Sequence, residues 1–314
     1  MLPVAAGSAG LGLTVETIIV LRTLLTAVGR ASLTVGRLFE GHVNAVKLVD
    51  RYGDAIGVLA AEAVAGRPSG VWNAERGDGL RAQRVEGGWR LDGTKVHCSG
   101  AGSIRRPLVT ARDGDDVRLF LPDMTAAGVG IDLSVWRAAG MRGTATGTVV
   151  FDQVFVPDDE TVGDAGDYYR SPFFSGGAWR VLAVQLGGLE QVMRLHAERL
   201  AAGRGGDPVF RARFGRAAGC YEAARLLVAE AATRAEGGGE AAAIDAYVDL
   251  ARSIFEDMVL ICIDSARRNE GLATFIAPDP IDRALRDLET YLRQSFVDAS
   301  RDHAAAWLIG GGSW

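Results

Sequence analysis

His97 and Ser99 are the two side chains whose types and spacing could most readily do chemistry. They sit in the stretch from Trp89 to Thr110, WRLDGTKVHCSGAGSIRRPLVT. A histidine exchanges protons near neutral pH, and a serine hydroxyl donates or accepts a hydrogen bond without bulk. Trp89 and Leu91 alternate with Arg90 and Asp92, the period of a half-buried strand. Asp92-Gly93 reads as a tight turn, and beyond it Val96 and Cys98 alternate with Lys95, His97 and Ser99. That alternation predicts Cys98 inside a core and His97 and Ser99 together on the opposite face, unless a bulge intervenes at Ser99-Gly100. His42 is a third candidate, on a helix drawn by Leu38, His42, Val46 and Val49, where a histidine in an apolar stripe also reads as a satisfied core residue. Arg211, in the string R-A-R-F-G with Phe214, carries a planar fork suited to phosphate oxygens, or is a solvated arginine on a helix face.

The elements that must position these groups fall into three blocks. Residues 1–66 read as an N-terminal helical segment, apolar at its start but without the Lys/Arg cluster of a signal peptide. Gly66-Arg67-Pro68-Ser69-Gly70 has linker chemistry. Residues 67–163 alternate and are densely punctuated, as at Glu86-Gly87-Gly88, Asp113-Gly114-Asp115 and Gly128, which predicts a central antiparallel β-domain. Asp78-Gly79 reads there as a hairpin turn. Residues 164–314 carry four long amphipathic stretches, Ala178–Leu200, Val209–Glu236, Glu240–Arg268 and Pro280–Trp307, which predict a C-terminal four-helix bundle. The fold class is therefore α+β.

Composition narrows the functions. With 314 residues the chain has ample material for a core. A net charge of −5 argues against a nucleic-acid groove. Cys98, Cys220 and Cys262 are isolated and odd in number, so neither a metal site nor a disulfide framework is indicated, and reduced cytoplasmic thiols are the simplest reading. The apolar run from Val15 to Leu25 is interrupted by Glu16 and Arg22, which predicts no membrane span.

Taken with Asp123-Met124, Trp136, Gly140-Met141-Arg142 and the strand VVFDQVFVP from Val149 to Pro157, the stretch around Ser99 resembles the middle β-domain of acyl-CoA dehydrogenases. The helix–strand–helix order resembles that family across most of the chain, with a shorter helical start. The resemblance implies FAD as cofactor. G-T-K-V-H-C-S follows the family's G-x-K-x-W-I-T/S, so Ser99 falls where a hydroxyl contacts the flavin near N5, and His97 where a tryptophan packs beside the ring. Trp72, Asn73 and Ala74 fall on the strand that clasps the pyrimidine edge, with Ala74 in place of a threonine. The glycine-serine stretch that follows in the family is Arg76-Gly77-Asp78-Gly79 here. R-A-R-F-G matches R-x-x-F-G, so Arg211 and Phe214 fall where the pyrophosphate and adenine of a neighbouring subunit's cofactor are held. That implies a homodimer or homotetramer. An electron-transfer flavoprotein is the implied redox partner, and a small-molecule or acyl-thioester the substrate.

The sharpest departure concerns the base. P-I-D-R-A-L-R-D, Pro280 to Asp287, is similar to the segment opening the family's last long helix, where Arg286-Asp287 is expected to fix the helix start. The catalytic glutamate lies eight residues after that aspartate, at Ser295 here. The other family position precedes an arginine on the first C-terminal helix, and here Trp179 precedes Arg180. Neither serine nor tryptophan abstracts a carbon proton at neutral pH. Glu40 and Glu289 are other carboxylates, without a motif. Three functions follow from this pattern: an FAD-dependent oxidoreductase with altered chemistry, a flavin monooxygenase of the same fold using His42, His97 and Ser99, or a flavin-free binding homologue.

Overall fold

Three helices precede the strands in the computed structural model, which describes residues 14–53, 55–294 and 296–314. They are α1 (Val15–Ala31), α2 (Leu33–Tyr52) and α3 (Ile56–Val64). Thr14 and Ser32 cap the first two, each side chain accepting the N–H three residues on. The buried residues of α2 (Leu33, Gly36, Glu40, Ala45, Val49) recur at helical spacing, so one face of α2 is turned inward.

The strands β1 (Val71–Trp72), β2 (Glu75–Val85), β3 (Gly88–Cys98), β4 (Leu108–Asp113), β5 (Asp116–Phe120), β6 (Val129–Asp132), β7 (Gly147–Pro157) and β8 (Thr161–Val162) form one curled sheet. Its order is β6-β7-β3-β2-β4-β5-β8, with β1 on β4. Most pairings are antiparallel, and β4 also takes β1 and β2 in parallel. Trp89, Leu91, Cys98, Phe120, Phe151 and Val156 fill its interior.

Behind the sheet come the short α4 (Phe173–Gly176), then α5 (Trp179–Arg199), α6 (Pro208–Gly237), α7 (Ala241–Glu270), α8 (Pro280–Leu292) and α9 (Val297–Ile309). Trp179, Leu189, Val228, Phe255, Val259 and Leu285 belong to the core that these helices share with α1. Close helix contact is written in glycines: a Cβ on Gly187 of α5 would lie 2.1 Å from the Thr26 carbonyl of α1. Among the described residues no helix is long and apolar enough to cross a membrane.

Four local expectations are corrected. Asp92-Gly93 is no turn: β3 continues through it, with a register shift against β7 between Leu91 and Gly93, and the hairpin to β2 closes at Glu86-Gly87. Gly93 instead allows a close approach, since a Cβ there would lie 2.1 Å from the Gly79 carbonyl oxygen. Asp78-Gly79 is likewise no hairpin turn but part of an irregularity within β2, between Glu75 and Leu80. The stretch from Pro280 to Trp307 is two helices, α8 ending at Leu292 and α9 following Phe296, whose φ is +63°. Arg286-Asp287 does not fix the start of α8, which Asp279 caps by accepting from Ile281 N–H at 2.9 Å.

Candidate functional site

A cleft of about 1500 Å³ lies between the sheet and the helices. One wall comes from the sheet. Trp72, Asn73 and Ala74 line its edge, and Val96, His97, Ser99, Thr144 and Thr146 line its floor. The register of β3 against β7 shifts between Lys95 and Cys98, with His97 at φ +54°. The bulge therefore sits upstream of Ser99-Gly100, and its extra residue changes which side chains point inward. Cys98 is wholly buried, as the alternation implied, and burial pushes its thiol pKa up to about 12. Lys95, expected on the polar face, is also wholly buried, while Val96 turns to the cleft.

Lys95 makes this wall rigid from behind. Its ammonium donates to Glu75 at 2.5 Å, to the Asn73 carbonyl at 3.1 Å and to Thr110 Oγ1 at 2.7 Å. The Asn73 side-chain oxygen accepts from Thr110 at 2.9 Å and from Tyr169 at 2.8 Å. Trp72 Nε1 donates to the Ser99 carbonyl at 3.0 Å, tying the edge strand to the end of β3. The side chains of Ser99 and Thr146 meet at 3.4 Å.

The facing wall is helical and charged. From α2, Arg37 donates to Glu40 at 2.7 Å, and Asn44 donates to the other oxygen of Glu40, which is 1% exposed. Arg180, in the first turn of α5, donates from Nε to Asn44 and from Nη1 to Glu236 of α6 at 2.7 Å. Lys47 closes the chain on the second oxygen of Glu236 at 2.8 Å. Burial opposes the charge on Glu236, but Lys47 and Arg180 outweigh it and hold its pKa below the ordinary carboxylate value. The phenol oxygen of Tyr291, on the same lining, is buried without a hydrogen-bond partner among the described residues.

Arg286 and Asp287 join the two walls. Asp287 accepts from Met141 N–H at 2.6 Å, and Arg286 donates to the Ala139 carbonyl at 2.8 Å while pairing with Asp282. A Cβ on Gly140 would meet the Arg286 carbonyl at 2.1 Å, so the turn can lie this close to α8 only as glycine.

The structure thus brings Trp72, Asn73, Ala74, His97 and Ser99 together on one wall. His42 is half-buried outside the cleft lining, its Nδ1 accepting from Ser69 N–H at 3.1 Å. Arg211 lies on the surface at the start of α6, donating to the Gly205 and Gly206 carbonyls, and Phe214 packs edge-on against His196 at 5.1 Å. Ser295 lies outside the described residues. Trp179 is wholly buried with its indole N–H on Glu236 at 3.0 Å. The facing network was not found from the sequence, because its members are spread from Arg37 to Glu236 on three helices. Arg180 was noted there only as the neighbour of a missing base.

Charge bookkeeping shows what the cleft can hold and do. Among the described lining residues there are eight Lys or Arg side chains and five carboxylates, in a chain of net charge −5. The lining is therefore basic and suits an anionic ligand. Each of the five carboxylates already has a cationic partner: Glu40 with Arg37, Glu75 with Lys95, Glu236 with Lys47, Asp249 with Arg252, and Glu289 with Arg267. A carboxylate held in an ion pair has to leave its partner before it can approach a substrate carbon. No cluster of metal-ligating side chains occurs among the described residues.

No family model matches the chain. It is 35% identical over 97 residues to the acyl-CoA dehydrogenase FadE34 of Mycobacterium tuberculosis, a match covering 29% of this chain and 13% of that relative, so the aligned part spans only about an eighth of the relative's length. Among solved structures, TdsC from Paenibacillus sp. A11-2, in a complex with FMN and indole, superposes with a TM-score of 0.83 at 20% identity, covering 94% of this chain and 84% of that one. A glutaryl-coenzyme A dehydrogenase complex with glutaryl-CoA superposes with a TM-score of 0.81 at 19% identity, covering 94% and 80%. The chain therefore has the acyl-CoA dehydrogenase fold, the frame shared by such dehydrogenases and by flavin-binding proteins such as TdsC, and its resemblance to the acyl-CoA dehydrogenases extends to sequence over that one stretch.

Proposed function

We propose that the chain is a flavin-dependent oxidoreductase acting on a small organic substrate, with FAD as its cofactor. The observation that carries the reading is the sheet-side wall: a strand edge locked by Lys95, neutral hydroxyls at Ser99 and Thr146, and a basic lining on a cleft of about 1500 Å³. These residues fit a flat heterocycle that bears phosphate. Bound flavin supplies two-electron redox chemistry. Backbone groups of Trp72, Asn73 and Ala74 would hold its pyrimidine edge, and the Ser99 hydroxyl would hydrogen-bond beside its redox-active nitrogen. His97, exposed on the same wall, is placed to carry a proton. Arg211 and Phe214, outside the cleft lining in their own chain, serve the pyrophosphate and adenine in a neighbouring copy, so the working form is a homo-oligomer of the cytoplasm.

The acyl-CoA dehydrogenase reaction in its usual form is not what this cleft favours, because its five described carboxylates are all paired. That observation favours a second reading, a monooxygenase on the same fold that needs no carbon-proton base and acts with reduced flavin and oxygen. Titration of the purified protein with FAD and FMN tests the cofactor. Saturable binding that quenches flavin fluorescence, tighter for FAD, is the expected result. Equal affinity for FMN would remove the roles given to Arg211 and Phe214, and absence of flavin binding would leave the flavin-free homologue. Oxygen uptake dependent on added reduced flavin would establish the second reading.

A further inference from the structure

Arg180 is the group the cofactor reading leaves unused. It is 7% exposed, and its Nε and Nη1 are spent on Asn44 and Glu236. Nη2 has no hydrogen-bond partner among the described residues, yet Arg180 lines the cleft. Gly177 keeps that space open, since a Cβ there would lie 2.6 Å from Nη2. An arginine has five donors, and an open guanidinium edge facing a cleft is well shaped to receive an oxyanion.

The charge around it points the same way. Glu236 pairs with both Arg180 and Lys47, and Glu40 pairs with Arg37 while also acting on Arg180 through space. Arg37, Lys47 and Arg180 against Glu40 and Glu236 therefore leave one positive charge more than carboxylates, a surplus gathered around the buried Arg180 that an anion in the cleft would offset. Burial lowers the pKa of both Lys47 and Arg180 below their ordinary values, with Glu236 offsetting only part of it. Arg51 adds a further cation, stacked 3.4 Å over the Phe173 ring. Beside it, Phe174 packs edge-on against Tyr168 at 5.2 Å and Tyr169 at 4.9 Å. Phe173, Phe174 and Tyr169 keep between a third and a half of their surface exposed, and they line the cleft.

We propose that Arg180, Lys47 and Arg51 form a subsite for the oxyanion of an aromatic acid, a carboxylate or sulfonate whose ring lies against Phe173, Phe174 and Tyr169. The Arg180 edge and the Lys47 ammonium hold the oxygens, and the rings supply apolar contact that a long acyl chain would not need. The proposal rests on the reading of this cleft as the substrate site, and deepens it by naming the substrate class.

Calorimetric titration of the purified chain with benzoate, benzenesulfonate and neutral benzamide, with and without added FAD, tests it. Benzoate or benzenesulfonate should bind at least about tenfold more tightly than benzamide, the worth of a charge-assisted hydrogen bond. The preferred anion identifies the oxyanion geometry. Arg180→Met should abolish the preference. Arg51→Met, at an exposed side chain stacked on the Phe173 ring, should reduce it with the fold retained. Equal binding of benzamide and the two anions, or no binding of either anion, would overturn the proposal. So would loss of FAD affinity in both variants with the anion preference intact, which would assign these cations to the cofactor phosphates. Failure to bind FAD alongside a preserved anion preference would defeat the cofactor reading and leave the subsite standing.

Discussion

The two walls of the cleft are built on opposite plans. The sheet-side wall presents mostly neutral groups, with Glu75 and Arg76 following Ala74 at its edge and the buried Lys95 set behind the strand, where it meets Asn73 and Glu75. The helix-side wall presents charge directly, through Arg37, Glu40, Arg180, Glu236 and Lys47 in one continuous chain of hydrogen bonds. A neutral, rigid surface suits a cofactor that changes redox state, because no fixed charge beside the ring favours one state strongly. A charged and incompletely neutralised surface suits discrimination between substrates. The difference is what motivates placing cofactor and substrate on opposite sides of the cleft.

The largest expected effect breaks the sheet-side plan. Lys95→Met removes the buried donor to the Asn73 carbonyl and Thr110 and leaves Glu75 only its longer contacts to Arg112 and Leu80 N–H at 3.4 Å, and should cost about 3 kcal/mol of stability in urea unfolding, the loss expected on breaking a buried pair. If stability changes by less than a few tenths, Lys95 does not organise the edge strand. Next comes Arg211→Ala. Loss of a charge-assisted phosphate contact should weaken FAD about tenfold or more and leave FMN affinity unchanged. An equal effect on both cofactors would show that the arginine does not reach the pyrophosphate. Smaller again is Ser99→Ala, the removal of one neutral hydrogen bond, worth about 1 kcal/mol or some fivefold in flavin affinity. The flavin absorption band should shift with it, and an unchanged spectrum and affinity would move the flavin away from this strand end.

Away from both walls, His196 offers a control on α5. It has no exposed surface, contacts Asn269 at 3.0 Å, and burial lowers its pKa to about 4. The unfolded chain binds a proton near pH 6.5 that the folded chain refuses until about pH 4, so this contribution is full above 6.5 and falls as the pH drops toward 4. His196→Gln should flatten the fall in melting temperature over that window. The smallest effect belongs here, and it should leave the anion preference of the cleft untouched.

Legibility in the sequence followed the same division. The sheet-side wall is local: His97, Cys98 and Ser99 are consecutive, and alternation alone oriented Cys98 inward. What alternation could not show was the bulge before Cys98, because the residue at positive φ is His97 and not a glycine. Asp92-Gly93 carried turn chemistry that tertiary pairing overrode, and Gly93 serves a close approach to Gly79 instead. The break after Leu292 has neither glycine nor proline to announce it. The helix-side wall is not local at all. Arg37 and Glu236 lie some two hundred residues apart, and each alone reads as a charge on a solvated helix face.

A cleft that holds flavin and whose described carboxylates are all ion-paired offers no free base for a substrate carbon proton. The most direct test is anaerobic mixing of the FAD-loaded protein with straight-chain acyl-CoA thioesters, followed at the flavin absorption band. The absorption should persist, with reduction absent or at least about a hundredfold slower than proton abstraction by a positioned base allows. Rapid bleaching by any straight-chain acyl-CoA would contradict the account, since it would require a free base at the cleft.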